Sequence, residues 1–241
     1  MISTMNFELC VSCVDGIQLA KKYLFTRIEL CQNLEVGGLT PSLGLVDIAL
    51  EEGIETHVLL RPRIGGFVYC ENEFQQVLRN AELLSQRGLA GFVFGAITED
   101  AKVDIDKMQR LKNVIGNRQL TFHRAFEDVT DWKKGVDDLQ KIGCNRILTS
   151  GHSSTVDAGM SALPEIKEYC EGKIELMVGG GIHQNNIHDV LFNIKPDAIH
   201  FSASETVIDA SFSKFGATRL IISENKIQGL LAKVDREKAM A

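Results

Sequence analysis

The chain of 241 residues holds only one tryptophan, three tyrosines and four prolines. No stretch rich in proline, serine or charge divides the chain, so no linker is expected and residues 1–241 read as a single domain. No basic run is present and the net charge is −6. That argues against a nucleic-acid surface and against adhesion to an acidic membrane. The longest mostly apolar stretch lies around Leu89 to Ile97, far short of the ~20 residues that span a bilayer. The opening MISTMNFELC has no basic start followed by an apolar run and a cleavage site, so a soluble cytoplasmic protein is expected. Six cysteines, at 10, 13, 31, 70, 144 and 170, are too sparse for a disulfide framework and are expected as reduced thiols.

What is present is alternation. β-rich runs fall near Asn6–Cys10, Arg27–Cys31, Glu55–Leu60, Gly91–Gly95, Gln119–His123, Arg146–Thr149, Glu175–Val178 and Ala198–Phe201. Amphipathic helical runs separate them, clearest over Glu71–Gln86, Asp104–Ile115, Asp131–Ile142, Met160–Tyr169 and Asn185–Phe192. Asp131 is placed to cap a helix that Gly143 ends. A last helix over Asn225–Lys238 carries Ile227, Leu230, Leu231 and Val234 on one face. Eight strand–helix units in a chain of this length predict an α/β fold, a (β/α)8 TIM barrel. A doubly wound open sheet is the alternative, and its dinucleotide version loses support because no GxGxxG follows the first strand.

In such a barrel the working face is at the C-terminal strand ends, and residues two apart share a strand face. Glu8 pairs with Cys10 in this way, Glu29 with Cys31, Thr121 with His123, and His200 with Ser202; Arg61 follows Leu59. If these faces point inward, one mouth gathers two carboxylates, two thiols, an arginine and two imidazoles, with apolar residues earlier in the strands. Charges without partners are too costly in a dry barrel. The arrangement therefore predicts either a polar pocket or a buried structural ion network.

Three loops add donors. Arg61 and Arg63 lie beside Gly65 and Gly66 and are suited to grip a planar anion; the plainer reading is a solvated loop. His123 and Arg124 end the fifth strand, where the imidazole fits a general base, a metal ligand or a hydrogen-bonded core residue. Gly179, Gly180 and Gly181 follow the seventh strand, where barrels often cradle phosphate, with Thr149 and Ser150 nearby. Cys10 and Cys31 end neighbouring strands, and thiolates are soft ligands suited to Cu(I). A structural zinc site lacks a second CxxC, and a thioredoxin-like use of Cys10–Cys13 lacks the rest of that fold. Buried cysteines also occur simply as small apolar residues.

The segments FELC, RIELCQNLEVGGLTPS, LLRPRIGGFVY, TFHRAFED, RILTSGH, VGGGI and AIHFSAS, in this order, resemble the CutC copper-homeostasis family from about Phe7 to Ser204. The resemblance implies a (β/α)8 barrel, a cytoplasmic location, a homo-oligomer and copper handling, with Cu(I) on Cys10 and Cys31. Cys13 stands where the family more often has a small polar residue. Two functions follow as expectations. One is Cu(I) binding. The other is an enzyme for a small anionic or phosphorylated metabolite, with Glu8, Glu29 and His123 handling protons. There Arg61, Arg63, Arg124, Thr149, Ser150, Gly179–Gly181, His200 and Ser202 would hold the substrate. A scaffold barrel finds no marked surface in the chain.

Overall fold

The computed structural model describes residues 6–208 and 218–240, with side chains through 234. Eight parallel strands close on themselves in sequence order. They are β1 (Asn6–Val11), β2 (Arg27–Leu30), β3 (Thr56–Leu59), β4 (Gly91–Val93), β5 (Gln119–Phe122), β6 (Arg146–Thr149), β7 (Glu175–Gly179) and β8 (Ala198–Phe201). β8 returns beside β1, with Glu8 opposite His200, so the sheet has no edge. The helices α1 (Val14–Lys22), α2 (Leu43–Glu51), α3 (Glu71–Ser85), α4 (Ile105–Ile115), α5 (Trp132–Ile142), α6 (Val156–Gly159), α7 (Leu163–Cys170) and α8 (Ile187–Asp189) fill the crossovers. Helix α9 (Glu224–Met240) ends the described chain. None of the described helices is long and apolar enough to cross a membrane.

Local chemistry sets the helix ends. Ser42, Asp104 and Asp131 each accept a hydrogen bond from the backbone N–H three residues on, at the first turns of α2, α4 and α5. Gly143 ends α5 in the left-handed region at φ 81°, as Asp131 and Gly143 together imply. Where one helix is expected over Met160–Tyr169, the chain makes α6 and then α7. Pro164 sits in the first turn of α7, where its missing N–H costs nothing, and starts a new helix instead of continuing the old. The run expected as a helix over Asn185–Phe192 is the short α8, continued by a π turn over Val190–Ile194.

The side chains sort by strand face. Leu9, Ile28, Val58, Phe92, Phe122, Ile147, Leu176 and Ile199 join the apolar faces of the surrounding helices in one core. The alternate residues therefore face the barrel interior. That interior is polar along much of its length, not only at the mouth. Arg27, His57, Thr121 and Arg146 are all buried there. The expectation of apolar inward residues earlier in the strands is thus corrected. Arg146 pairs with Glu175 at 2.6 Å and donates to Thr121 and Gln119. At the N-terminal end this layer opens into a cleft of about 320 Å³ lined by Asn6, Arg27, Glu55, Arg146 and Glu175, among others.

A hairpin absent from the sequence reading, β9 (Ser204–Ile208) with β10 (Thr218–Ile222), follows β8. Leu220, Ile221 and Ile222 lie over Cys10, Cys13 and Ser202 and cover that side of the mouth.

Candidate metal centre

Strands β1 and β2 run in register with Cys10 opposite Glu29. That offset brings the next inward residue, Cys31, to Cys10: the two sulfurs are 3.8 Å apart. Cys10 Sγ also lies 3.5 Å from Glu29 Oε1. A ring nitrogen of His200, the Cys10 sulfur and a Glu29 oxygen all fall within 4.8 Å of one another. Cys10 and Cys31 are buried against Leu59 and Val93, with Leu34 packed on top. The turn carrying Leu34 is held by an antiparallel bridge between Gln32 and Leu39. Gly38 in this turn has φ +82°, and a Cβ there would stand 2.7 Å from Leu59 and 3.2 Å from Cys31. Only glycine lets the backbone lie directly on the cysteine.

A buried charge network supports the pair from below. Glu8 is fully buried and accepts from Arg27 and from His200 Nδ1, the latter at 2.7 Å. Burial pushes the Glu8 carboxyl up, but the His200 hydrogen bond and the Arg27 charge more than cancel this and hold it well below the usual carboxylate range. Glu29 is pushed the other way, first by burial and against the pull of His200. Its buried Oε2 has no hydrogen-bond partner among the described residues. Burial alone would lower His200, yet Glu29 and Glu8 together raise it. The Cys10 thiol is raised well above normal by its hydrogen bond with Cys31 and by burial. The metal-free centre therefore holds the Cys10 thiol proton, and a metal binds there by displacing it.

His123 belongs to a neighbouring group. Its Nδ1 accepts from the Ala125 N–H at 3.1 Å, so the other nitrogen carries the proton in the neutral ring. Its ring packs on Phe67 with centroids 4.7 Å apart, and the Arg61 guanidinium lies over the same Phe67. Burial first, then the Arg61 charge, pushes His123 down to about 3. Cys10, Cys31, Glu8, Glu29 and His200 thus form one site, while Arg61 and His123 flank it.

The two arginines of the expected anion grip are engaged within the protein. Arg61 turns its two terminal nitrogens to the carbonyls of Val36, Gly38 and Gly65 at 2.8–3.0 Å, pinning two loops together over the mouth, while its buried Nε has no partner among the described residues. Arg63 makes five hydrogen bonds, to Glu73 twice and to the carbonyls of Ile64, Gly66 and Val68. A guanidinium has five N–H donors, so none is left for a ligand. Thr149 and Ser150 hydroxyls both donate to Glu127, which also accepts from the N–H groups of Ser150 and His152. Glu127, the first of the two carboxylates in TFHRAFED, organises these loops, and sequence reasoning passed over it. Arg124 bonds Ser150 and the carbonyls of Ser153 and Ser154. A Cβ on Gly180, whose φ is +101°, would meet that guanidinium at 2.9 Å. Gly179 is pressed against Leu148 and His200, and Ser202 contacts the Ser204 hydroxyl at 3.1 Å. Cys13 stands at the start of α1 and lines the space under the hairpin, outside the sulfur pair.

If Arg61 works as a loop clamp, Arg61→Met strands three carbonyls. The expected loss is about 2 kcal/mol of unfolding free energy, read as a lower urea midpoint. An unchanged midpoint would remove the clamp assignment.

Comparison with known proteins places these features. The CutC family model matches residues 5–205. A CutC family protein from Glaesserella parasuis is 32% identical over 237 residues, covering 94% of this chain and 98% of its own. One from Bacteroides fragilis is 35% identical over 203 residues, covering 83% and 81%. The crystal structure of CutC from Streptococcus agalactiae, named as a candidate copper homeostasis protein, has a TM-score of 0.77 and 30% identity. It covers 82% of this chain and 98% of that one. Phosphoribosylanthranilate isomerase from Pyrococcus furiosus shares the fold alone, with a TM-score of 0.58 and 12% identity over 96% of this chain and 99% of that one. With the family model spanning the whole barrel and relatives above 30% identity covering most of both chains, this protein belongs to the CutC family.

Proposed function

We propose that the protein serves copper homeostasis in the cytoplasm by binding Cu(I) between Cys10 and Cys31. The observation that carries this reading is the pair of buried sulfurs 3.8 Å apart at the mouth, with an imidazole and a carboxylate beside them. Thiolates are the soft donors that Cu(I) selects. The residues present fit the ion: Cys10 and Cys31 are buried side by side, and among the described residues their sulfurs have only each other and Glu29 as partners. Copper here is cargo, and each thiol must give up its proton to hold it. The name of the Streptococcus agalactiae relative points the same way.

Competition against a chromogenic Cu(I) chelator under anaerobic conditions tests the reading. Wild-type protein is expected to withdraw copper from the chelator. Cys10→Ser and Cys31→Ser should each weaken binding by at least about 100-fold, about 2.8 kcal/mol on the scale of 1.4 kcal/mol per tenfold. Cys70→Ser, at an exposed thiol, should not. Equal affinity in all four proteins would overturn the assignment.

A second reading, an enzyme working on a small metabolite, draws on one feature. Glu8 and Glu29 sit in the same mouth with carboxyl groups pushed in opposite directions, the pattern that separates acid from base in many active sites. With Arg63 committed to Glu73 and nearby carbonyls, an anionic substrate would have to rely on the unpartnered Nε of Arg61 or on Arg124, whose side chain is 37% exposed and paired with Glu127 at 3.5 Å.

A further inference from the structure

The N-terminal end of the barrel carries more polar chemistry than a structural plug needs. Barrel interiors are ordinarily filled by layers of branched apolar side chains. Here a cleft of about 320 Å³ is walled by Arg27, Arg146, Glu55 and Glu175. Arg27 is 4% and Arg146 3% exposed, and charges that deep persist only with partners. Among the described residues those partners are incomplete. Arg146 Nε and Glu175 Oε1 are buried with no hydrogen bond, although the two side chains meet at 2.6 Å through other atoms. Neither ring nitrogen of His57 makes a hydrogen bond, and Glu55 Oε1 stands 3.4 Å from its Nε2. Arg27 gives its Nε to Glu8, while its Nη1 lies 3.7 Å from Glu55.

A closed ion network would satisfy its own members, so buried polar atoms left over call for a partner that the fold does not supply. The unmet demand is two-sided. Arg146 Nε and Arg27 Nη1 can only donate, while ionised Glu55 and Glu175 can only accept. Burial holds the neighbouring His57 in its neutral form, so the walls oppose two guanidiniums to two carboxylates. An anion alone would face Glu55 and Glu175, and a cation alone would face the two arginines. Each would carry an unbalanced charge into a partly desolvated space. Glu8 also draws on Arg27, which weighs further against a plain anion. A molecule bearing both charges meets neither penalty. The volume lies near the lower end of the ~300–1,000 Å³ range of ligand pockets, so that molecule must be small.

We propose that this N-terminal cleft is a binding site for a small zwitterion of the α-amino-acid class. Its carboxylate lies against Arg146 Nε and Arg27 Nη1, and its ammonium lies between Glu55 and Glu175. Asn6 and Asn145, which also line the cleft, offer amides to the remainder of the molecule. The site is at the opposite end of the barrel from the cysteine pair and stands independently of the Cu(I) reading.

The test titrates the full chain, reduced and metal-free, by calorimetry with glycine, L-serine and L-glutamine. Sodium acetate and methylammonium chloride serve as single-charge probes. At least one amino acid should bind more than about 10-fold tighter than either single-charge probe, the worth of one charge-assisted hydrogen bond. Glu55→Gln, at a side chain 42% exposed, keeps the shape and should weaken that amino acid about 10-fold or more. Arg146→Lys replaces the guanidinium fork by a point charge and should do the same. Because Arg146 is buried, circular dichroism checks that variant, and Glu55→Gln decides alone if Arg146→Lys does not fold. Amide resonances of Asn6, Thr26 and Asn145 should move on binding, while those of Cys10 and Cys31 stay in place. No binding by any of the three amino acids means that water alone fills the cleft, and overturns the proposal. Acetate binding as tightly as the amino acids overturns it too, as does binding indifferent to Glu55→Gln. Each of these failures leaves Cu(I) binding at the cysteine pair to its own test.

Discussion

Glu8→Ala should lower the stability of the barrel by about 3–5 kcal/mol, the cost of leaving a buried charge without its partner. The residue left behind is Arg27, whose side chain is 4% exposed and whose remaining contacts are weak. Its Nη1 lies 3.7 Å from Glu55, and its Nη2 reaches only the Met177 sulfur, also at 3.7 Å. Neither replaces a carboxylate. Water entry from the N-terminal cleft, which Arg27 lines, would soften the loss but not remove it. His200 would lose its Nδ1 acceptor in the same variant. The double variant Glu8→Leu with Arg27→Met removes both charges together, and paired removal of a buried ion pair is often near neutral. Urea denaturation should therefore place the double variant well above Glu8→Ala in midpoint. A single variant within about 1 kcal/mol of wild type would mean that the pair is solvated in solution and that Glu8 does not anchor His200.

The parts of this site that could be read in advance are those fixed by strand periodicity. Glu8 with Cys10, and Glu29 with Cys31, follow from residues two apart sharing a face. The outward alternates, such as Leu9 and Ile28, gave the strands their apolar signal. Arg27 obeys the same rule from the first position of β2, two before Glu29, and it was this position that reversed the expectation of an apolar lower barrel. Arg61 is different in kind. Its strand position was legible, but the acceptors that occupy it come from a turn 23–25 residues earlier and from Gly65. No local pattern records that a guanidinium is already engaged. The β9–β10 hairpin was hidden for a related reason: its strands pair Ser204 with Ile222 across a long connection without a two-residue turn signature. Glu127 had a local signal, a carboxylate just past a strand end, and its four oxygen and nitrogen donors from β6 and the loop after it become visible only when the barrel closes.

Lowering the pH should destabilise the protein well before its carboxylates titrate, and His123 is the reason. The neutral ring is the form the fold accepts, since burial and the Arg61 charge hold His123 at about 3 against an ordinary 6.5. The unfolded chain takes up a proton as pH falls through 6.5 and the native chain does not until near 3, so the stability due to this group is complete above 6.5 and is lost on the way down. The slope is ~1.4 kcal/mol per pH unit, or about 3 kcal/mol between pH 6.5 and 4. His57 is also lowered by burial and adds to the same limb. His200 is raised, so its contribution runs the opposite way, being full below 6.5 and fading as pH rises through its native value. His123→Asn isolates the effect, because the Asn carbonyl oxygen can still accept from Ala125 N–H while nothing at that position titrates. The variant should be less stable than wild type at pH 7.5, from lost packing on Phe67. The gap should narrow steadily below pH 6.5 and close or invert near pH 4. Urea-unfolding free energies for the two proteins across pH 4 to 8 decide the matter. Parallel curves would mean that His123 takes up its proton over the same pH range in the native barrel as in the unfolded chain, and that the arginine clamp beside it does not exclude a second positive charge.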